Sequence, residues 1–159
     1  MSFALATSPV PASAPVSTDP IAASPIAPVA PWSDDYLTGD TLIDSQHQNL
    51  FRLVNELHAL MQGGTTGTIV KERLEELMDC TLEHFDMEED RMAALGYPNL
   101  ESHCKRHTAL RERIQSALVK VKQDETMIPL DVSYCLSEWM VHHIKGEDQR
   151  MIQFFRNHE

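Results

Sequence analysis

Several ionisable side chains occupy positions where the sequence would otherwise be apolar. They interrupt hydrophobic stripes at His47, His84, Glu88, His103, His107 and His143. On a helix, His84 and Glu88 face the same way, as do His103 and His107, because each pair is four residues apart. Burying so many ionisable groups without partners would cost several kcal/mol or more. A metal ion removes that cost by taking imidazoles and carboxylates as ligands, so we predict a metal site.

The residues around these positions repeat at three- and four-residue steps, which is the period of an amphipathic helix. We predict four such helices: 41–61, 68–95, one that follows the N-cap Asn99 and extends at least to Val121, and 129–155. The connections are short, and strands do not alternate with helices. The pattern therefore predicts an all-α, antiparallel up-down four-helix bundle, a fold that builds metal centres from inward-facing side chains. A single histidine on such a stripe would more simply be a core residue with a hydrogen-bond partner, but five in phase favour a metal.

The 159-residue chain is long enough for one domain with a hydrophobic core. Residues 1–31 are mostly Ala, Pro, Ser, Val and Thr with one charge, so we predict a disordered tail there and a bundle domain over 32–159. The net charge of −11 argues against nucleic-acid partners, and no apolar stretch is long enough to span a membrane. The tail lacks the features of a signal peptide, so we expect a cytoplasmic protein whose three cysteines are buried free thiols.

Two adjacent histidines occur in the stretch WMVHHIKGEDQR, residues 139–150. Trp139 belongs to the apolar stripe of the fourth helix, and His143 follows it by four residues, so His143 should face the interior. His142 is rotated by about 100° and should face solvent. His58 lies three turns beyond His47 on the first helix. We expect it at the boundary of the core, without a second metal site.

Four short segments carry a family pattern: IDSQH at 43–47, HFDMEE at 84–89, HCKRH at 103–107 and HIKGED at 143–148. In this order and at these spacings they resemble the hemerythrin family, in particular the single-domain bacterial hemerythrins. The resemblance implies two non-haem iron ions bridged by an oxo or hydroxo group. The ligands that it implies are His103, His107 and His143 for one iron and His47 and His84 for the other, with Glu88 and Asp148 bridging both.

Helical geometry and the family pattern disagree about the last of these ligands. In an ideal helix Glu147 lies about 40° from His143 in projection, whereas Asp148 lies about 140° away. We follow the resemblance and predict that Asp148 bridges the metals while Glu147 faces outward. Either His143 and Asp148 converge from opposite edges of the stripe, or a π-bulge near Gly146 brings them onto one face.

The resemblance implies reversible dioxygen binding at a coordination position left open beside two histidine ligands. Only two carboxylates face five imidazoles, which disfavours strongly oxidised iron. We therefore expect oxygen storage, buffering or delivery to an oxygen-consuming enzyme, and no catalytic residues. Phe85, Trp139 and Met140 match the family's oxygen-pocket positions, although each has an equally simple role as a core residue. Two alternatives remain open: an oxygen- or redox-sensing interaction module, and a di-iron enzyme that acts on peroxide or nitric oxide.

Overall fold

A computed structural model describes residues 26–123 and 130–159. Its helices are α1 (Thr41–Gln62), α2 (Thr68–Leu95), α3 (Leu100–Gln123), α4 (Asp131–His143) and α5 (Gln149–Arg156). A π-helical stretch, Ile144–Asp148, joins α4 to α5 and is called the π segment below. Helices α1 and α3 each pack against α2 and α4, and the described residues contain no strand. The predicted four-helix bundle is therefore confirmed, with α4, the π segment and α5 as its fourth helix.

The helix ends follow from local chemistry. Asp40 precedes α1, and its carboxylate accepts hydrogen bonds from two backbone N–H groups of the first turn. Gly96 ends α2 with a φ of 67°, a left-handed conformation that costs glycine little. Asn99 precedes α3, and its carbonyl accepts the His103 N–H, as expected of an N-cap residue. The prediction that the fourth helix opens at Pro129 lies outside the described residues.

The described part of the N-terminal region packs on the bundle. Ala30 is 2% exposed, and both its N–H and its carbonyl bond to the Asn55 side chain. The Trp32 and Tyr36 rings lie 5.1 and 4.7 Å from the Phe51 ring. The packed chain thus begins before the predicted boundary at residue 31, because a small apolar residue there fits against α1. Residues 1–25 of the predicted tail lie outside the described residues.

Two apolar clusters separate the predicted ligands from the rest of the molecule. Along each helix the ligand positions fall between members of a larger cluster and a smaller one. The larger cluster includes Leu50, Phe85, Leu110 and Met140, and the smaller one includes Ile43, Met92, Met151 and Phe155. A polar layer is therefore enclosed between two hydrophobic layers. No helix among the described residues is both long and apolar enough to cross a lipid bilayer.

The three cysteines are free, as predicted, but none is fully buried. Cys80 and Cys104 are half-buried, and Cys135 is exposed. Cys80 receives a hydrogen bond from the Asn49 amide at 3.4 Å and lies outside the ligand cluster. The prediction of buried thiols was wrong because these residues flank the apolar stripes instead of lying on them.

His58 was predicted at the boundary of the core, but it is 2% exposed. Its Nδ1 lies 2.9 Å from the Ser133 hydroxyl, and its Nε2 lies 3.0 Å from the Gln62 amide nitrogen. Because the Ser133 hydroxyl donates to the Leu130 carbonyl, it accepts from Nδ1–H, and Nε2 accepts from Gln62. His58 is thus a neutral, fully bonded core residue. The prediction failed because its key partner comes from α4, which local periodicity cannot reveal.

We expect acidification to destabilise the metal-free protein partly through His58. Burial lowers the pKa of His58 from its ordinary 6.5, so the unfolded chain binds a proton more readily than the folded one. This contribution to stability is complete above about pH 6.5 and is lost as the pH falls toward the lowered pKa. In His58→Gln, the free energy of unfolding measured with urea should fall less between about pH 7.5 and pH 5.5 than in the parent. The exposed His142→Gln serves as the control, and equal slopes in both variants would contradict the prediction.

Candidate metal centre

The structure brings all seven predicted ligand side chains together in the middle of the bundle. Each is at most 4% exposed: His47, His84, Glu88, His103, His107, His143 and Asp148. They come from α1, α2, α3, α4 and the π segment. The adjacent His142 is exposed, so the predicted register of the fourth helix is confirmed. The role of each side chain as a ligand stays a prediction.

The Asp148 carboxylate lies between two sets of imidazoles. Its Oδ1 is 3.0 Å from His143 Nε2 and 3.2 Å from His103 Nε2. Its Oδ2 is 3.2 Å from His47 Nε2. Each oxygen of this carboxylate therefore faces a different set of histidines.

Glu88 lies between the same two sets. Its Oε1 is 3.4 Å from His84 Nε2, and its Oε2 is 3.3 Å from His107 Nε2 and 3.5 Å from His103 Nε2. Two groups of potential ligand atoms result, each with its atoms within 4.8 Å of one another: Glu88, His103, His107, His143 and Asp148 in one, and His47, His84, Glu88 and Asp148 in the other. Both carboxylates belong to both groups, which is the arrangement expected of two bridged metal ions.

The chemistry of the buried atoms fits cations at this position. Both ring nitrogens of His47 and His103 and all carboxylate oxygens of Glu88 and Asp148 lack a hydrogen-bond partner among the described residues. Leaving such atoms buried and unpaired is costly. Neighbouring ligands of one ion, bonded at about 2.1 Å, lie about 3 Å apart, close to the separations found here. Imidazole nitrogens with carboxylate oxygens suit transition metals such as iron.

The electrostatics of the cluster also favour a cation. Burial raises the pKa of Glu88 to about 8, and the charge of Asp148 adds to this effect. Burial opposes ionisation of Asp148 as well, but the nearby His143 and His103 imidazoles hold the pKa of Asp148 well below its ordinary value. Burial lowers the pKa of His84 to about 3. Without metal, one carboxylate is thus held protonated near neutral pH, whereas a cation would favour two carboxylates and neutral imidazoles.

The π segment accounts for the position of Asp148. In an uninterrupted α-helix Glu147, four residues after His143, would share its face. The π-helical turn accommodates an extra residue, and the fully buried Asp148 takes that place. Glu147 instead pairs with Arg106 at 3.2 Å and Arg150 at 2.8 Å. Of the two geometries considered for Asp148, the structure contains the π-bulge.

A cavity of about 20 Å³ lies beside the cluster and touches His84, His143 and Asp148. That volume holds about one molecule of the size of water. The three residues predicted for the oxygen pocket, Phe85, Trp139 and Met140, all line this cavity. Most of the other lining side chains are aliphatic, among them Leu50, Val54 and Ile114. Thr81 also lines the cavity, but its hydroxyl donates to the Leu77 carbonyl at 2.6 Å. The cavity is therefore apolar apart from the ligand cluster.

Two side chains that hold the histidine rings were missed by the sequence analysis. The Gln46 carbonyl oxygen lies 3.0 Å from His84 Nδ1, and a Glu89 carboxylate oxygen lies 2.8 Å from His107 Nδ1. Each of these residues directly adjoins a predicted ligand in sequence. Each nevertheless contacts a histidine on a different helix, so residue spacing within one helix gives no signal for them.

Residues 38–155 match the family model described as the hemerythrin HHE cation binding domain. The chain belongs to the hemerythrin family. A bacteriohemerythrin of Pseudomonas aeruginosa is 33% identical over 126 residues, which cover 79% of this hemerythrin and 81% of that protein. A bacteriohemerythrin of Stenotrophomonas maltophilia is 31% identical over 136 residues, covering 80% of this chain and 88% of that one.

Solved hemerythrin structures share the architecture. A wild-type hemerythrin aligns with a TM-score of 0.67 at 27% identity and covers 76% of this hemerythrin and 92% of that chain. A point mutant of hemerythrin aligns with a TM-score of 0.71 at 25% identity, and the alignment covers 80% of this hemerythrin and 98% of that chain. The match extends over nearly the whole length of both solved chains, so this bundle is a complete hemerythrin fold.

Proposed function

We propose that this hemerythrin binds dioxygen reversibly at a di-iron centre. The observation that carries the proposal is the apolar cavity in direct contact with a ligand cluster whose two halves share both carboxylates. His103, His107 and His143 would hold one iron, and His47 and His84 the other. Glu88 and Asp148 would bridge the two irons, together with an oxo or hydroxo group.

The two halves of the cluster differ in a way that suits a ligand-binding role. One group contains three histidines and the other only two, while both contain Glu88 and Asp148. The half with His47 and His84 therefore offers one protein ligand fewer. The cavity touches this half through His84 and the other half through His143. When bound, two ferrous ions would together supply the two electrons needed to bind dioxygen reversibly.

The side chains around the cavity would prevent bound dioxygen from being released as peroxide. Phe85, Trp139 and Met140 exclude water, and the Thr81 hydroxyl is already committed to Leu77. Outside the ligand set, no acidic or basic side chain among the described residues lines this cavity. A pocket whose described lining holds no acidic or basic side chain beyond the ligand set supports reversible binding for storage, buffering or delivery over catalysis on peroxide or nitric oxide.

Anaerobic loading with ferrous iron, followed by exposure to oxygen, tests this function. We expect about two irons per chain, as bundle di-iron sites hold, and a charge-transfer band that appears with oxygen and disappears under vacuum. Zinc-loaded protein provides the redox-inert control and should stay colourless. A fully iron-loaded protein without such a band would overturn the proposal, and so would sustained turnover of added peroxide or nitric oxide.

A further inference from the structure

The five histidines of the cluster differ in what their outward ring nitrogens contact. Among the described residues, Nδ1 of His47, His103 and His143 has no hydrogen-bond partner. Nδ1 of His84 faces the neutral Gln46 amide. Nδ1 of His107 alone meets a carboxylate, that of Glu89 at 2.8 Å. A single predicted ligand is therefore bonded to a negatively charged group outside the cluster.

Glu89 and its neighbours hold the His107 ring from its edge and its face. The side chain of Glu89 is 26% exposed, and its carboxylate also accepts a bond from Arg111 at 3.2 Å. The Arg111 guanidinium reaches Asp86 at 3.2 Å and lies 5.5 Å over the Phe85 ring. Phe85 in turn stacks on His107 with centroids 3.6 Å apart and planes 4° apart. The ring has little freedom to rotate or tilt.

The hydrogen bond to Glu89 has a chemical consequence for His107. A neutral imidazole binds a metal through the nitrogen that lacks a proton. By accepting from Nδ1–H, Glu89 fixes the proton there and leaves the Nε2 lone pair directed at the cluster, where it lies 3.3 Å from Glu88. A negative partner also makes the imidazole a stronger donor to a metal ion.

We propose that Glu89 is a positioning residue that acts through His107 on one of the two metal positions, the one formed by His103, His107 and His143. Its carboxylate sets the orientation of His107, and its charge favours the more oxidised metal at that position. Arg111 moderates the charge because it pairs with the same oxygen. This inference rests on the proposed two-metal site but needs no oxygen chemistry.

Three variants separate the effect of Glu89 on the orientation of His107, the effect of its charge, and the effect of removing any negative charge from this part of α2. Glu89→Gln keeps an oxygen acceptor and removes the charge, and Glu89→Leu removes both. Asp90→Asn makes the same charge change at an exposed neighbouring position on α2. The measurements are zinc affinity by competition with a coloured chelator, the midpoint potential of the iron-loaded protein, and the melting temperature of the metal-free protein.

We expect Glu89→Leu to weaken binding of one zinc ion about 10- to 100-fold, as for other partners of metal-binding histidines. Glu89→Gln should weaken it less and should shift the midpoint potential to a more positive value. Asp90→Asn should change neither quantity. The metal-free melting temperature of Glu89→Gln, which keeps an acceptor for His107 Nδ1–H, should match that of the parent.

Parent-like zinc affinity in Glu89→Leu would overturn the positioning role. An equal shift of potential in Glu89→Gln and Asp90→Asn would overturn the specific effect of charge. A fall in metal-free stability that accounts for the weaker binding would show a merely structural role and also overturn it. The zinc measurement separates this inference from the proposed function, because zinc binding that depends on Glu89 would stand even if no reversible oxygen band formed.

Discussion

Replacing His143 with alanine is expected to remove most of the bound iron, whereas His142→Ala should leave iron content and the oxygenated spectrum nearly unchanged. His143 Nε2 lies 3.0 Å from both Asp148 and His107, so the substitution removes an atom from the centre of the predicted ligand set. It also removes a partner of the buried Asp148 carboxylate, and the loss of one partner from a buried pair typically lowers stability by about 3 to 5 kcal/mol. Within the described part of the chain, the exposed His142 bonds only to the Glu138 carbonyl, one turn back on α4.

Elemental analysis of both variants after the same anaerobic loading checks this expectation. The two proteins differ from the parent by the same substitution at adjacent positions, so each is the control for the other. If His142→Ala lost its iron while His143→Ala kept it, the inward face of the fourth helix would have been assigned one residue out of register.

A second matched pair concerns the π segment. Asp148→Ala should abolish most of the stabilisation that iron gives the protein, because both groups of potential ligand atoms contain this carboxylate. Such stabilisation reaches about 4 kcal/mol when free metal exceeds its dissociation constant about 1,000-fold. Glu147→Ala should lose its ion pairs with Arg106 and Arg150, and because both arginines are exposed we expect these pairs to be worth about 1 kcal/mol or less.

The relevant measurement is the difference in melting temperature between the iron-loaded and metal-free forms of each variant. This difference should collapse in Asp148→Ala and persist in Glu147→Ala. The opposite pattern would mean that Glu147 is the bridging carboxylate and that Asp148 has no role in holding metal.

The periodicity of the sequence was sufficient to predict α1 and α2 almost to the residue, because their apolar positions are regular and glycines mark their ends. It also identified the five histidines of the ligand cluster and Glu88, since each lies in phase with an apolar stripe. Asp148 could not be found in this way. A period of 3.6 residues places Glu147 on the inward face, and only the family pattern pointed to Asp148 and the helical irregularity that it requires.

Contacts between helices explain the remaining differences. His58 is buried by Ser133, and Glu89 is directed at His107, through pairings that no local pattern contains. Ala30 was placed in the tail because composition records few charges and many prolines, but composition does not record that this residue bonds to Asn55. Such pairings exist only once the helices have been assembled.

The π segment also determines where a single residue can be deleted from the fourth helix without moving the predicted ligands. It contains one residue more than an α-helical turn would place between His143 and Asp148. Loss of one codon within it would restore regular helical spacing, bring Asp148 four residues after His143, and keep Met151 and Phe155 on the inward face. The same loss within α4 would rotate every preceding side chain by about 100° relative to the ligands. We therefore expect a single-residue deletion inside the π segment to be compatible with the predicted ligand arrangement, and a single-residue deletion within α4 to disrupt it.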